Sequence, residues 1–349
     1  MAVDDRYGSI QDIDERILEL LQARVARLKL DDELNGFAEV PESELLQDYA
    51  STLGASVSEL SQLCWHFHSL SLRLTQDQKA IGFLGPDYSY SYLAAVKYFG
   101  MSANLRPVAT IADGFDLVER GQVEFAVVPI ENSTDGRIVE SLGKFSSSPV
   151  KICGEVLMPI HHCLLATCTR EEITRVVSKP EALSQCREWL EHNLPAAKTE
   201  SCKSTADAAR MAAETKGVAA IASAEAGVHY GLQLVDAKIE DNVHNLTRFF
   251  VIGNMQKPTS GNDKTALRFQ LEHRPGSLAS AMILFHEADI NMTWIESFPL
   301  HNKPSEYLFF VELEGHQEDA SVASAIEKLR KESRELHILG SYPRSAQHD

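Results

Sequence analysis

A group of polar side chains lies directly before a hydrophobic run in the second half of the chain. Asn245, Thr247 and Arg248 precede Phe249–Gly253, a run that is typical of a buried strand. Residues held at the entrance of a strand are well placed to contact a ligand. An amide, a hydroxyl and a guanidinium together could bind a small polyanion that carries a leaving hydroxyl. Taken alone, the same residues fit a strand-start turn with a surface Arg better.

A second polar group follows another apolar run. Phe125–Ile130 is predicted to be a buried strand, and Glu131–Gly136 begins at its carboxyl end. In open α/β sheets, ligands bind outside the carboxyl ends of strands. The carboxylate of Glu131 and the amide of Asn132 could therefore bind a polar substrate. A turn followed by a helix cap has the same composition.

Three further polar residues lie near predicted helix starts. Ser178 is a plausible N-cap, because Pro180 fits the first turn of the helix that follows. Gln185 lies further along that helix, where it could reach the same site or face solvent. Ser89 lies in a polar loop between a strand and a helix, and such loops bind anions. A simple capped helix start gives the same pattern.

Composition limits the classes of protein to consider. The chain has 349 residues, of which 44% are hydrophobic and 24% charged, as in globular proteins of two or three domains. The net charge of −17 opposes nucleic-acid binding, and no apolar run has the ~20 residues of a membrane span. The acidic N-terminus is no signal peptide, and the six cysteines form no CxxC pair, so a cytoplasmic protein without a zinc site is expected. Adjacent His161 and His162 in a strand point to opposite faces, so no metal site is expected there.

The elements that must position these residues fall into three parts. Residues 1–78 have helical periodicity. From Ala80 onwards strands and helices alternate, which predicts two α/β lobes, a mostly parallel sheet and a central cleft. The segment Lys257–Lys264 is a predicted linker. The remaining residues predict a strand and helix order of βαββαβ, which is that of a small ferredoxin-like module.

The first helix, Ile10–Arg24, resembles that of the all-helical chorismate mutase domain. Arg24 matches one of the cations with which that family binds its dicarboxylate. Tyr7 (next to Arg6), Asn35 and the segment 43–47 stand where other cations are expected, and Gln76 matches the terminal Gln loosely. Each missing charge-assisted hydrogen bond is worth ~1.5–3 kcal/mol. A degenerate domain retained for dimerisation or packing is therefore predicted.

Five motifs in fixed order resemble prephenate dehydratase. They are Gly82–Pro86, Pro129–Ser133, Ser178–Pro180, Gln185-Cys186 and Asn245–Phe249. The resemblance implies that prephenate loses its ring hydroxyl and a carboxylate to give phenylpyruvate, CO2 and water, without a metal or organic cofactor.

The resemblance also implies roles for single residues. Thr247 would polarise the leaving hydroxyl, and Glu131 would orient Asn132 or contribute a proton. Substrate binding would involve the following residues: Ser178, Gln185, Asn245, Arg248, Phe249 and Ser89. Arg248 or Lys179 would supply charge. Lys179 stands where the family often has His.

The C-terminal part resembles an ACT regulatory domain. Three segments carry the likeness: Pro275–Leu278, Ile290–Thr293 and Ile295–Ser297. The resemblance implies an amino-acid effector site formed by Gly276, Ser277, Leu278, Asn291, Glu296 and Ser297. Phe298 stands where the family usually has Arg, which removes a cation from that site.

The sequence therefore predicts three domains: residues 1–79, chorismate mutase-like; residues 80–256, a dehydratase of two α/β lobes; and residues 264–349, ACT. The expected ligands are prephenate and an L-phenylalanine effector, with no nucleic-acid or membrane partner, in a homodimer or homotetramer. Three alternatives stay open: a bifunctional mutase and dehydratase, an arogenate dehydratase, and an amino-acid-sensing protein without catalysis.

Overall fold

The computed structural model describes residues 8–30, 43–74, 80–300 and 303–345. The chain divides into two compact units, one of Met1–Ile81 with Ala95–Arg106 and the other of Gly82–Ala94 with Pro107–Asp349. Within the described ranges, no helix combines the length and the apolar character that crossing a membrane requires.

The N-terminal helices follow the apolar periodicity of the sequence. They are α1 (Ile10–Leu30), α2 (Ser43–Leu53) and α3 (Val57–Leu74). Both α1 and α2 pack against α3. The third helix begins directly after Ser56. Four positions compared with the mutase family, Arg6, Tyr7, Asn35 and Gln76, lie outside the described residues.

Strands and helices alternate through the central part of the chain, with a short 3-10 helix at Arg170–Glu172. The elements are β1 (Ile81–Leu84), α4 (Tyr90–Phe99), β2 (Leu105–Val108), α5 (Ile111–Glu119), β3 (Phe125–Asn132), β4 (Gly136–Arg137), α6 (Val139–Phe145), β5 (Lys151–Pro159), β6 (Cys163–Ala166), β7 (Arg175–Ser178), α7 (Pro180–Gln185), α8 (Arg187–Asn193), β8 (Lys198–Ser201), α9 (Thr205–Glu214), β9 (Val218–Ala222), α10 (Ala224–His229), β10 (Gln233–Asp236) and β11 (Leu246–Gly253).

These strands form two mixed sheets. One has the order β2-β1-β3-β11-β5, with β4 paired to β3, and the other has the order β10-β6-β9-β7-β8. β11 is antiparallel to both β3 and β5, and β6 is antiparallel to β9 and β10. The prediction of a mostly parallel sheet is therefore wrong. The chain leaves the first sheet after β5 and returns at β11, beside β5 and opposite to it in direction.

Burial explains why the central strands form. All of Val218–Ala222 is buried, and so are Phe125–Ile130 and residues 247–253 of β11. Such continuous buried runs are typical of strands covered on both faces. The helix starts of α5, α9 and α10 each have a side-chain cap; at α9, Ser204 Oγ accepts a hydrogen bond from Asp207 N (3.0 Å).

The C-terminal part has the predicted βαββαβ order. Its elements are β12 (Asp263–Gln270), α11 (Ser277–Glu287), β13 (Met292–Leu300), β14 (Lys303–Glu314), α12 (Ala320–Glu332) and β15 (Glu335–Pro343). They form one antiparallel sheet in the order β13-β14-β12-β15. Both helices pack their apolar faces on this sheet through Phe285 and Leu329, which contact the buried Leu267 and Val311.

Candidate active site

Thr247 and Asn132 lie opposite each other on neighbouring strands. The register of β11 and β3 pairs these two residues, so their side chains share one face of the sheet. Asn132 Nδ2 donates a hydrogen bond to Thr247 Oγ1 (2.8 Å), and each residue is only 9% exposed. Both strands extend further than the sequence predicts. Asn132 and Thr247 are therefore held by strand hydrogen bonds and not by loops.

The amide of Asn132 has a fixed orientation. Its Oδ1 accepts hydrogen bonds from the backbone N–H groups of Thr134 (2.9 Å) and Asp135 (3.0 Å). Its Nδ2 must therefore point to Thr247 and to Asn245, whose Oδ1 accepts at 2.8 Å. Since Thr247 Oγ1 accepts from Asn132, the hydroxyl proton of Thr247 is available to a ligand.

The hydrogen-bond chain continues to the second sheet through Gln185. Asn245 Nδ2 donates to Gln185 Oε1 (2.9 Å), and Gln185 Nε2 donates to Asp135 Oδ2 (2.7 Å). Asn132 and Asp135 belong to the first sheet and its following loop, whereas Gln185 ends α7 beside the second sheet. The predicted residues Asn132, Gln185, Asn245 and Thr247 therefore form one connected group.

A break between two helices places Gln185. The single predicted helix is divided at Cys186 into α7 and α8. The carboxylate of Asp241 accepts from Glu188 N and Trp189 N, both at 3.0 Å, and Asp241 N donates to Gln185 O (2.7 Å). Asp241 thus satisfies the open N–H groups of α8 and fixes the last residue of α7.

A buried histidine lies behind Gln185. His162 is 2% exposed, and its Nε2 is 2.8 Å from Gln185 Oε1. Its Nδ1 is 3.1 Å from the hydroxyl of Tyr90, and Glu240 accepts from its backbone N–H (2.8 Å). Burial lowers the pKa of His162, although Gln185 and Glu240 act in the opposite direction. Burial also raises the pKa of Tyr90 well above its usual range.

Arg248 and Glu131 face away from this group, which corrects their expected position beside the substrate. Neighbouring residues of a strand point to opposite faces, and the register pairs Arg248 with Glu131. The guanidinium of Arg248 lies 2.7 Å from Glu155, contacts Glu312 and stacks 4.8 Å from the ring centre of Phe250.

Arg248 belongs to a buried cluster of four charges. Lys264 lies 3.0 Å from Glu155 and 3.1 Å from Glu312, so each cation contacts both carboxylates. Tyr342 also donates to Glu312 (2.6 Å). Burial alone would raise the pKa of Glu312, but Arg248 and Lys264 lower it below its usual value. Burial alone would lower the pKa of Arg248, but these neighbours raise it above its usual range.

Four other predicted binding residues do not join the group of Asn132 and Thr247. Ser178 is not an N-cap, because it ends β7 fully buried and donates to Ile221 O (2.6 Å). Ser89 donates to Leu84 O (3.0 Å), and Phe249 is a core residue with 2% exposure. Lys179 pairs with Glu181 at 3.3 Å.

The predicted effector residues lie at or just before the starts of α11 and β13 and along β13. Gly276 has a φ of 85°, a left-handed conformation that suits glycine, and Ser277 donates to Arg274 O (3.0 Å). Leu278, Asn291 and Ser297 are exposed. Glu296 forms an ion pair with Arg137, whose guanidinium lies 5.1 Å from the ring centre of Phe298.

Arg24, the mutase-like residue, is half-buried in α1, and burial lowers its pKa.

The sequence pattern does not identify the residues that orient the side-chain amides of Asn132 and Gln185. Asp135 lies inside the predicted polar segment, and Tyr90 directly follows the predicted Ser89. In the sequence His162 stands out only as a candidate metal ligand, and Asp241 lies 56 residues from Gln185. Their contacts depend on how the two sheets meet, and a local sequence pattern does not contain this information.

Comparisons with known proteins agree on one family. The family model described as "Prephenate dehydratase" matches residues 81–257. A relative from Aquifex aeolicus, "Bifunctional chorismate mutase/prephenate dehydratase", is 36% identical over 96% of each chain. The prephenate dehydratase of Arthrobacter aurescens in complex with L-Phe is 30% identical with a TM-score of 0.71, covering 76% of this chain and 90% of that one. GqqA, described as a quorum quenching acylase, is 30% identical with a TM-score of 0.70, covering 76% of this chain and 98% of that one.

Proposed function

The chain belongs to the prephenate dehydratase family, and on this premise we propose that the group around Thr247 converts prephenate to phenylpyruvate, CO2 and water. The bond between the ring and its carboxylate breaks, and its electron pair restores the aromatic ring. The bond from the ring to the hydroxyl breaks at the same time, and the leaving oxygen takes up a proton to become water. This reaction forms part of L-phenylalanine biosynthesis.

One observation carries this assignment of roles. The backbone N–H groups of Thr134 and Asp135 fix the amide of Asn132, which donates to Thr247. Because Thr247 Oγ1 is the acceptor in that bond, its own proton can form a hydrogen bond with the departing hydroxyl. A Thr hydroxyl is a weak acid, so its contribution is to polarise and position the leaving group, as preorganised donors do in other enzymes. Asn132, Asn245 and Gln185 supply the polar surface on which the substrate is held.

Replacing Thr247 tests the proposal. Thr247→Ala removes the donor and should lower kcat about 10²–10³-fold, the effect of deleting one preorganised donor. Thr247→Ser keeps the hydroxyl and should retain most activity, so it is the matched control. Phenylpyruvate formation is followed by absorbance, and circular dichroism confirms that both variants fold. Turnover by Thr247→Ala close to that of the unchanged protein would contradict the role of Thr247.

We also propose that the protein prefers prephenate to arogenate as its substrate. The two substrates differ in a keto or an amino group on the side chain, outside the reacting ring. Comparison of kcat/KM for both substrates decides between them, and a higher value for arogenate would overturn the preference.

We propose that the helices of residues 1–79 form a degenerate chorismate mutase-like domain. Arg24 is the cation retained at the compared positions, and a dianion needs several. Chorismate supplied to the whole chain should therefore give little prephenate. Rapid conversion would make the protein bifunctional, as the Aquifex relative is described.

The C-terminal part, residues 264–349, is proposed to be an ACT domain that binds an amino acid. Its βαββαβ order and the L-Phe complex of the Arthrobacter relative support this assignment. The effector would contact Gly276, Ser277, Leu278, Asn291, Glu296 and Ser297. Arg137 already pairs with Glu296, so a ligand must share this carboxylate or displace Arg137. Calorimetry that detects no binding of phenylalanine, tyrosine or tryptophan at millimolar concentrations would contradict it.

A homodimer or homotetramer is proposed from the first helix. Ile10, Ile13 and Ile17 are 79%, 38% and 42% exposed and follow each other at helical spacing on α1. An apolar stripe of this kind is typical of a surface that a second copy covers.

The geometry at Thr247 does not support the acylase chemistry that is described for GqqA. An acylase nucleophile needs a base that takes its proton. The side-chain partner of Thr247 in the described contacts is the amide of Asn132, which donates and cannot act as a base. The site therefore favours hydrogen-bond donation over nucleophilic attack.

A further inference from the structure

His162 occupies a position from which it can control the orientation of Gln185. A glutamine amide has two orientations of similar shape that exchange a donor for an acceptor. In the structure Gln185 Oε1 accepts from Asn245, and Gln185 Nε2 donates to Asp135. The opposite orientation would set the NH2 of Gln185 against that of Asn245. The orientation of Gln185 therefore determines whether its hydrogen bond with Asn245, the first link toward Thr247, stays intact.

The contact of His162 with Gln185 sets the proton on the imidazole. Gln185 Oε1 can only accept, so the Nε2 of His162, 2.8 Å away, must carry the hydrogen. Burial lowers the pKa of His162, which favours the neutral ring, so Nδ1 then carries no proton. Nδ1 can accept from the hydroxyl of Tyr90, 3.1 Å away, whose single proton is shared between Nδ1 and His161 O (2.7 Å). Tyr90 remains a donor because burial raises its pKa well above its usual range.

The backbone holds the imidazole in place. Glu240 Oε2 accepts from His162 N (2.8 Å), while Glu240 Oε1 contacts His161 Nδ1 (2.8 Å). The ring of His162 also meets that of Tyr90 edge-on at 5.7 Å between centres. His162 is thus fixed by its backbone, by Tyr90 and by Gln185, and it has 2% exposure.

We propose that His162 is a positioning residue for the dehydration, because its Nε2–H holds Gln185 in the orientation that keeps the amide chain directed to Thr247. This role rests on the proposed function of Thr247. His162 does not itself touch the reacting atoms. It acts through Gln185, Asn245 and Asn132, and a side chain without the Nε2–H would leave Gln185 less firmly held, by Asp135 and Asn245.

The test compares two substitutions and a neighbouring control. His162→Leu removes the donor with little change in volume and should lower kcat about tenfold or more, while KM changes less, since a buried acceptor loses its partner. His162→Gln supplies an amide N–H of similar reach and should restore most of kcat. His192→Leu alters an exposed histidine of the neighbouring helix α8, whose Nδ1 lies 2.7 Å from Glu188 O, and should leave kcat unchanged.

The outcomes separate a positioning role from a structural one. If His162→Leu lowers the melting temperature but keeps kcat, or if His162→Gln loses as much kcat as His162→Leu, the proposal is overturned. Failure of the unchanged protein to convert prephenate refutes the proposed function instead. Nitrogen-15 NMR of the unchanged protein gives an answer that does not depend on the variants folding. The Nε2–H tautomer is expected for His162, and the Nδ1–H tautomer would refute the proposal.

Discussion

Removing Glu312 should strongly destabilise the buried cluster of Arg248, Lys264, Glu155 and Glu312. The two cations and two carboxylates sum to zero charge, and all four side chains are at most 10% exposed. Glu312→Leu leaves two buried cations with a single carboxylate. The loss should be about 3–5 kcal/mol, the cost of removing one partner from a buried ion pair. The Tyr342 hydroxyl also loses its acceptor, which adds about 1–3 kcal/mol.

Urea unfolding measures this effect directly. Trp294 lies 6.0 Å from the Arg248 guanidinium, so its fluorescence reports on the cluster. Arg344→Ala is the matched control, because the Arg344–Glu314 pair (2.9 Å) has side chains 43% and 38% exposed. Exposed pairs contribute about 0–1 kcal/mol, so the midpoint should hardly move.

A double substitution tests whether charge balance is the cause. Arg248→Met with Glu312→Leu removes one charge of each sign and leaves Lys264 paired with Glu155 at 3.0 Å. The double variant should be more stable than Glu312→Leu alone, since replacement of a whole buried pair by apolar groups is often neutral. A loss below about 1 kcal/mol in Glu312→Leu would refute the reasoning. A double variant no more stable than the single one would refute it too.

Three further predictions concern other parts of the chain. Ile17→Glu places a charge in the exposed apolar stripe of α1 and should halve the mass measured by light scattering, whereas an unchanged mass would exclude this surface. Burial lowers the pKa of Lys257 to about 7. Between pH ~7 and ~10, Lys257 is therefore protonated in the unfolded protein but largely neutral in the folded one. Since the unfolded state binds more protons, the contribution of Lys257 to stability rises with pH across this window. Lys257→Met should therefore reduce the slope of unfolding free energy against pH, and equal slopes would contradict this. Gly340→Ala would place a Cβ 2.1 Å from Ile152 O and should lower the free energy of unfolding by at least about 2 kcal/mol. Gly143→Ala, which has open space around it in α6, should stabilise the protein slightly and is the control. Equal effects of the two substitutions would refute the steric argument.

The sequence predicts the site residues that lie on regular elements better than those that orient them. The local pattern places Asn132 and Thr247 beside strands because each adjoins an apolar run, while their proposed roles come from the family resemblance. Their register, which brings the two side chains together, depends on β11 returning beside β3, and no local signal gives this pairing. The same limit explains why a mostly parallel sheet was predicted.

Arg248 shows most clearly that the partners of a site residue cannot be predicted from the local sequence. In the sequence it is a cation next to Thr247, and a dianionic substrate gives such a cation an obvious role. Its partners, Glu155 and Glu312, lie 93 and 64 residues away along the chain. The alternation of side chains along a strand would have shown that Thr247 and Arg248 face opposite sides. It could not have shown that the opposite side is covered by a sheet carrying Glu312.

The two faces of β11 connect the site with the C-terminal sheet. Thr247 contacts Asn132 on one face, and Arg248 contacts Glu312 of β14 on the other. The Cα atoms of neighbouring residues are about 3.8 Å apart, so a shift of β14 that displaces Arg248 also moves Thr247. If an amino acid binds at Glu296, on the strand paired with β14, it should therefore lower kcat more than it raises KM. Steady-state rates at saturating phenylalanine measure both constants. A change confined to KM would show that the effector acts on substrate binding and not through β11.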